Sequence, residues 1–586
     1  MIKLTIDGVA VTVPKGTSVL AAAKAAGIRI PTLCYMEKYN EIGACRLCLV
    51  EVKGMRGLLA ACTLQASDGM EVYTNTPKVR EARRTNLELL LSNHPQDCLT
   101  CARNGQCELQ TLSEEMGIRR QRFEGEKISF PQDRSTLSIV RDPNKCVLCR
   151  RCIAVCKQVQ GVGVLGAVER GFDTIVAPEA DCVLHDVACV LCGQCVMVCP
   201  TGALTEVDNT EEAFAALSDK TKHVVVQTAP AVRVAIGEEF GYEPGTIVTG
   251  KMVTALRRLG FQAVFDTDFS ADLTIWEEAN ELVGRLTQGG TLPMITSCSP
   301  GWIKFIEHYY PDLLDHLSTC KSPQQMLGAL VKTYYADKIG VNPEDIVVVS
   351  VMPCTAKKFE RARPEMVGGS GLPDVDIVLT TRELARMIKI AGIDLAQLPD
   401  SEFDSPLGLS TGAGVIFGAT GGVMEAALRT AYEWVSGETL SNIELKEVRG
   451  LSGIKEAEVK LPGVEITLRV AVAHGLSNAR RLLDKIKEGK AEYHFIEIMA
   501  CPGGCISGGG QPRPADVNEF DALREQRIKG VYQADRELPL RKSHENPAVR
   551  ELYDTYLGEI GGERAHQLLH TNYTVRGKYP RTIRQH

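Results

Sequence analysis

The sequence predicts a multidomain α+β / α/β protein, on three observations. At 586 residues the chain far exceeds the ~100–200 residues of a typical domain. Sixteen of its 21 cysteines fall between Cys34 and Cys199, so a thiol-rich first third precedes a thiol-poor remainder. From residue 223 onward, short β-branched runs (VVVQTA, IVVVSVMP, VDIVLTT) alternate with helical stretches such as TGKMVTALRRLG. That texture belongs to a large α/β domain with buried, mainly parallel sheets.

Composition narrows the function before any motif does. Lys+Arg number 66 and Asp+Glu 73, a formal charge of −7, whereas a nucleic-acid binder usually carries a basic stripe. No run approaches the ~18 consecutive apolar residues of a membrane span. MIKLTIDGVAVTVPKG lacks the long apolar core of a secretory signal. A cytoplasmic protein with no nucleic-acid or membrane partner is therefore expected. In that reducing compartment so many thiols point to metal binding rather than disulfides.

Residues 1–78 open with Ile2, Leu4 and Ile6 alternating, a turn at Gly8, and Val9, Val11 and Val13 returning, a hairpin signal. SVLAAAKAAGI adds a helix ending at Gly27. A β-grasp, ferredoxin-like module is expected. Within it Cys34-x10-Cys45-x2-Cys48-x13-Cys62 supplies four thiolates suited to one [2Fe–2S] cluster, with a zinc site as the plainer alternative. Residues 79–135 begin with the charged, helical VREARRTNLELLLSNH and carry His94-x3-Cys98-x2-Cys101-x5-Cys107. Three thiolates leave a [4Fe–4S] cube one ligand short, and the His94 imidazole can complete it. Alone, a histidine there would more often cap a helix or fill a core.

Residues 136–208 hold an internal repeat: Cys146-x2-Cys149-x2-Cys152-x3-Cys156 and Cys189-x2-Cys192-x2-Cys195-x3-Cys199-Pro200. This is the two-cluster bacterial ferredoxin run, whose fourth cysteine ligates the other cube. Cys146, Cys149, Cys152 and Cys199 are expected around one [4Fe–4S] cluster. Cys189, Cys192, Cys195 and Cys156 are expected around a second. Cys182 is left over and is read as a small buried hydrophobe. GVGVLG spells GxGxxG at Gly161, Gly163 and Gly166, but it lies between the cysteine runs with no room for a βαβ unit. The chain is thus not expected to bind NAD(P) itself. DNTEEAFAALSDKTK, at 208–222, reads as a polar helical linker.

In the long segment 209–586, Cys298 (ITSCSPGW), Cys354 (VMPCTAKKFE), Cys501 and Cys505 (IEIMACPGGCISGGGQP) follow strand-like runs, where α/β folds place their sites. Gly503, Gly504 and Gly508 to Gly510 are expected to let backbone approach a bulky inorganic group. Met352 and Met499 would give it soft, apolar cover. Together these loops resemble the three loop motifs of the iron-only ([FeFe]) hydrogenases. The resemblance spans essentially the whole chain, including RKSHEN and GERAHQLLH near the C-terminus. The two N-terminal cluster motifs are also similar to those of respiratory complex I. The resemblance implies a catalytic domain holding an H-cluster: a [4Fe–4S] cube joined through one cysteine sulfur to a two-iron unit with CO, cyanide and azadithiolate. It implies Cys354, Cys501 and Cys505 as cube ligands, Cys505 as the bridge, and Lys357 as the contact to a cyanide. An ammonium beside an anionic ligand makes a strong charge-assisted hydrogen bond.

The first loop departs from the family. Two adjacent cysteines are usual there, the first relaying protons and the second ligating the cube; here the pair is Cys298-Ser299. Register makes Cys298 the relay and puts Ser299 at the ligand position. A thiolate suits an iron–sulfur cube better than an alkoxide, so ligand chemistry favours a shifted loop in which Cys298 ligates and Ser299 relays. The balance falls slightly toward the shifted loop. Glu278, Glu281 and Arg285 in WEEANELVGR have i, i+3, i+7 spacing and share a helix face. With Ser318 between the glutamates they match the family's proton relay. A solvated helix face is the ordinary alternative.

The expected activity is reversible H2 oxidation and proton reduction. Electrons would pass through one [2Fe–2S] and three accessory [4Fe–4S] clusters. The pattern is similar to catalytic subunits of multisubunit NAD(P)-linked hydrogenases. That implies a hetero-oligomer with NAD(P)-binding flavin and iron–sulfur partner subunits, ferredoxin, or both. The alternatives are a monomeric ferredoxin-dependent hydrogenase and, in another class, a non-enzymatic hydrogenase-like iron–sulfur assembly protein. The latter would not be expected to keep the glutamate relay, Lys357 and the Gly-rich third loop together.

Overall fold

The computed structural model describes residues 1–179, 182–440, 443–460 and 467–577. β1 (Ile2–Ile6) and β2 (Val9–Val13) pair antiparallel through Asp7 and Gly8, both at positive φ. That backbone matches the twist of a two-residue hairpin. β3 (Leu49–Val52), β4 (Leu59–Ala60) and β5 (Glu71–Tyr73) complete a sheet ordered β2-β1-β5-β3-β4. The inward residues Leu4, Ile6, Val11 and Val13 share a core with Val19, Ala22 and Ala23 of the helix Val19–Ala25, which Ser18 caps.

The helix Pro77–Asn93 is pinned to this sheet: Arg83 donates to the Leu49 carbonyl at 2.7 Å. The expected boundary at 78/79 therefore cuts its first turn. The boundary at 135/136 likewise parts Asp133 from its partners, because Asp133 pairs backbone to backbone with Arg141 and accepts from the Leu184 amide. In the repeat, β6 (Ile139–Arg141), β7 (Gly166–Val168), β8 (Ile175–Ala177) and β9 (Leu204–Glu206) form two small antiparallel pairs, β6–β9 and β7–β8. The two cysteine runs have the same backbone. Leu148 and Arg150 flank Cys149 at positive φ, and Leu191 and Gly193 flank Cys192 in the same way.

The segment read as a linker instead packs against the large C-terminal core. Its helix, Thr210–Ser218, buries Ala213 and Leu217 in the large core. Their i, i+4 spacing makes one apolar stripe on a polar helix. Beyond it stand β10 (His223–Thr228), β11 (Ala263–Asp266), β12 (Met294–Ile295), β13 (Ile346–Met352), β14 (Ile377–Thr380), β15 (Ile454–Lys460), β16 (Thr467–His474) and β17 (Phe495–Met499). They form two four-stranded sheets, β11-β10-β13-β14, all parallel, and β12-β17-β16-β15, in which only β15 is antiparallel.

One helix, Thr267–Gln288, serves both sheets. Phe269, Leu273 and Trp276 enter the core of the first sheet, and Ala271, Ile275 and Leu282 enter the core of the second. The C-terminal helices close over this seam: Val531 and Tyr532 join one core, Ala565, Leu568 and Leu569 the other.

Candidate active site and metal centres

The parallel strands converge their C-terminal ends on one place. β13 ends at Met352, two residues before Cys354, and β17 ends at Met499, two before Cys501. Both methionines are buried there. The two loops are tied by the Gly510 amide, which donates to the Pro353 carbonyl at 2.8 Å. Burial raises the thiol pKa of Cys354, Cys501 and Cys505, lifting Cys505 to about 12; Cys354 adds to the rise at both Cys501 and Cys505, and Cys505 to that at Cys501. Buried thiols that resist ionisation need a metal to accept the thiolate.

The glycines also let the protein backbone close on itself. A Cβ on Gly508 would stand 2.1 Å from the Pro353 carbonyl, and one on Gly504 2.6 Å from the Thr420 amide. A Cβ on Gly509 would meet the Cys192 carbonyl and the Gly193 Cα, each at 2.7 Å. These residues let loop backbones touch one another. Gly509 in particular brings the second cysteine run against the catalytic loops. Three side-chain bonds hold that seam: Thr355 Oγ1 to the Leu191 carbonyl (2.8 Å), Gln194 Nε2 to the Ser507 carbonyl (2.9 Å) and Lys304 Nζ to the Cys189 carbonyl (2.6 Å).

Cys298 follows β12, and its thiol pKa is raised by burial first and then by the charge of Glu278 and Cys505. Lys357 Nζ donates to the Cys298 carbonyl at 3.3 Å and pairs with Glu360 at 2.8 Å. Ser299 is the N-cap of the helix Pro300–Tyr309, and its hydroxyl accepts from the Ala500 amide at 3.4 Å.

Glu278 is 1% exposed and no hydrogen bond closes on its carboxylate. Burial, with a contribution from Glu281, pushes its pKa up to about 8. Ser318, fully buried, donates to Glu281 Oε2 at 2.9 Å, and the Thr319 amide donates to the same oxygen at 3.1 Å. Arg285 binds Glu281 Oε1 at 2.6 Å and the Leu317 carbonyl at 2.6 Å. Glu281 and Arg285 keep 15% and 13% of their side chains exposed, so the row runs from a dry interior toward solvent.

The upstream thiols fall into groups. Cys156, Cys189, Cys192 and Cys195 line one small cavity. Cys146, Cys149, Cys152 and Cys199 line a second. The free thiols of Cys48 and Cys62 hydrogen-bond at 3.4 Å, and those of Cys34 and Cys45 are likewise hydrogen-bonded to each other. His94 lies at the end of the helix Pro77–Asn93; its Nδ1 is buried without a partner, and burial lowers its pKa to about 4. Among the described residues no three His, Cys, Asp or Glu side chains close on a point as the ligands of a single ion would. Cys182 is not a core residue: it is half-buried on the wall of a surface cavity beside Asp133 and Arg141.

Sequence reasoning missed two residues. Asn40 Nδ2 donates to the carbonyls of Cys34 (2.7 Å) and Cys149 (2.9 Å), joining the first module to the third. Glu497, fully buried in β17, accepts from the amides of Gly421 and Met424 and fixes the loop that Gly504 packs against. Its signal was a carboxylate inside the apolar run FIEIM.

Comparison with known proteins finds family matches along most of the chain. The profile of the iron only hydrogenase large subunit, C-terminal domain, matches residues 222–509. The 2Fe-2S iron-sulfur cluster binding domain matches 1–77, the NADH-ubiquinone oxidoreductase-G iron-sulfur binding region 83–122, and the NADH-quinone oxidoreductase subunit 3 ferredoxin-like domain 137–205. The NADP-reducing hydrogenase subunit HndD of Solidesulfovibrio fructosivorans is 54% identical over 98% of this chain and 99% of its own length. The chain belongs to the iron-only hydrogenase family. This hydrogenase also carries, at 521–576, a match to the iron hydrogenase small subunit. The solved apo [FeFe]-hydrogenase HydA1 of Chlamydomonas reinhardtii is 49% identical, covering 63% of this chain and all of its own, with a TM-score of 0.57. Cytosolic iron-sulfur assembly component 3 of Bos taurus is similar at 32% identity over 61% of this chain and 75% of its own. In the hydrogenase the buried glutamates, Lys357 and the Gly-rich third loop stand together around one set of strand ends.

Proposed function

We propose that this [FeFe] hydrogenase is the hydrogen-activating subunit of an NAD(P)-linked assembly. It would interconvert H2 with two protons and two electrons. The observation that carries the reading is the meeting, at one set of strand ends, of three thiols with raised pKa, an ion-paired lysine and a glutamate row whose inner member, Glu278, is buried. An H-cluster fits these residues. Cys354, Cys501 and Cys505 would hold its cube, and Cys505 would share its sulfur with the two-iron unit bearing CO, cyanide and azadithiolate. That unit, when bound, supplies the open iron that polarises H2.

The chain's own groups do the rest. Lys357, fixed by Glu360 and the Cys298 carbonyl, presents a cation to an anionic ligand. Met352 and Met499 exclude water from the strand ends. Cys298 takes the proton and Glu278 receives it, as a carboxyl poised near neutrality can. The Ser318 hydroxyl hands it to Glu281, whose carboxylate Arg285 holds at the outer end.

For electrons, Cys156, Cys189, Cys192 and Cys195 would hold the cube nearest the site, and Cys146, Cys149, Cys152 and Cys199 the next. His94, Cys98, Cys101 and Cys107 would hold a third [4Fe–4S] cluster; its neutral, unpartnered imidazole fits a metal. The pairs Cys34/Cys45 and Cys48/Cys62, each suited to one iron, would hold the [2Fe–2S] cluster of a β-grasp module. Partner subunits carrying flavin and NAD(P) are proposed from the full-length similarity to an NADP-reducing hydrogenase subunit. Gel filtration of the natively purified protein tests this: co-elution with NAD(P)-reducing subunits is expected. A solitary monomer fully active with ferredoxin alone would contradict it.

A further inference from the structure

The first catalytic loop carries one thiol where the site needs both a ligand and a proton carrier. Ser299 has extended backbone, φ −102° and ψ 103°, so consecutive side chains leave the loop on opposite sides. Cys298 and Ser299 cannot both face the cube. Their surroundings separate them. Cys298 packs with Cys505 into the core of the second sheet and feels Glu278 as its nearest acid. Ser299 Oγ faces the Ala500 amide, one residue before Cys501. Two residues on, Gly301 lies against Ala500 and Cys192: a Cβ there would stand 3.2 Å from the Ala500 Cβ and 3.7 Å from the Cys192 Cβ. The serine side of the loop is therefore the side of Cys501 and of the neighbouring cluster run.

The hydroxyl also makes no bond to its own helix. A serine at an N-cap ordinarily accepts from an amide in the first turn of its helix. Ser299 makes no such bond to the amides of Gly301 or Trp302. An N-cap serine that turns its oxygen away from its own helix, toward a cysteine ligand loop, has another use.

We propose that Ser299 completes the cube's ligand set through oxygen, beside Cys354, Cys501 and Cys505, leaving Cys298 free to carry the proton. The proposal rests on the H-cluster reading above. Ligation replaces the O–H bond by an O–Fe bond and releases the proton to water, with no change of oxidation state. The Ala500 N–H, aimed at the oxygen, stabilises its anionic form as such bonds stabilise ligating sulfurs. An alkoxide is a harder donor than a thiolate and favours ferric iron. The cube should therefore sit at a lower potential than its all-cysteine counterpart.

The test uses the full chain with its iron–sulfur clusters but without the two-iron unit, read by iron content and EPR-monitored redox titration. In Ser299→Cys one [4Fe–4S] signal should move to higher potential while the accessory signals stay in place. In Ser299→Ala that same signal should change form or disappear, with loss of iron. Cys298→Ala should leave iron content and every titration unchanged. Loss of the cube in Cys298→Ala, or a Ser299→Cys protein whose titration matches the parent, overturns the proposal. The H-cluster reading fails separately: matured parent protein would then lack infrared bands of metal-bound CO and cyanide.

Discussion

At the residue scale the site depends on groups whose burial is costly unless chemistry uses them. Cys505 is a buried thiol lifted to about 12, a poor ligand until a metal takes its proton. Cys505→Ala should abolish H2 turnover while the ferredoxin-type signals persist, checked by EPR on the same sample. Glu281→Gln keeps the shape of the relay's outer member and removes its proton affinity. General acid–base steps contribute about 10²–10⁴-fold, so turnover should fall about a hundredfold or more with cluster content intact. Glu278 titrates near pH 8 because burial disfavours its charged form. It is mostly protonated at neutral pH. Proton reduction, which needs the acid, should decline above about pH 8, whereas H2 oxidation, which needs the base, should gain toward it. Profiles of both directions that run flat through pH 8 would remove Glu278 from the path. The grouping of the upstream cysteines could be read from the sequence because spacing is itself the signal. Cys182 could not, since the chemistry of one thiol is silent about exposure.

At the scale of elements, glycine contacts and one shared helix place the chemistry. The helix Thr267–Gln288 offers opposite faces to two cores, which fixes Glu278 and Glu281 at the seam between the sheets. Its glutamate spacing was legible as a helix face; which face is dry depends on packing that no local pattern encodes. The glycine-rich third loop was legible as a close approach, but the partner is protein backbone, Pro353 on one side and Cys192–Gly193 on the other. Gly509→Ala puts a Cβ 2.7 Å from the Cys192 carbonyl and must push the cluster run away. Dye-linked H2 oxidation should drop severalfold, while H2/D+ exchange, which needs no electron exit, should be retained. Equal loss of both would place the damage in the catalytic loops instead. The helix Thr210–Ser218 was misread as a linker because the polar flanks Asp208–Asn209 and Asp219–Lys222 mask Ala213, Phe214, Ala216 and Leu217, which dock it.

Across the whole molecule the modules are not beads on a string. Leu33 and Leu47 of the first, Leu87 and Leu109 of the second and Cys149 of the third share one small core. The Glu108 amide donates to the Pro200 carbonyl, and Arg103 to the Cys199 carbonyl. Both N-terminal modules thus abut the Cys146–Cys199 cavity, which gives a branched wire a physical junction. Asn40 is one pin of it. Asn40→Ala strips a donor from two buried carbonyls, each at a cost of about 1–3 kcal/mol. The [2Fe–2S] cluster should be reduced more slowly by H2 in stopped flow, with the other clusters unaffected. The sequence made the wire's parts legible, since each cysteine run is local. It hid the junction, since Asn40 and Cys149 meet only in the folded chain. The central claim, an organometallic diiron group held at the ends of β13 and β17, has one direct measurement. Infrared spectra of anaerobically matured protein should show bands of metal-bound CO and cyanide; fully matured protein without them would contradict the account.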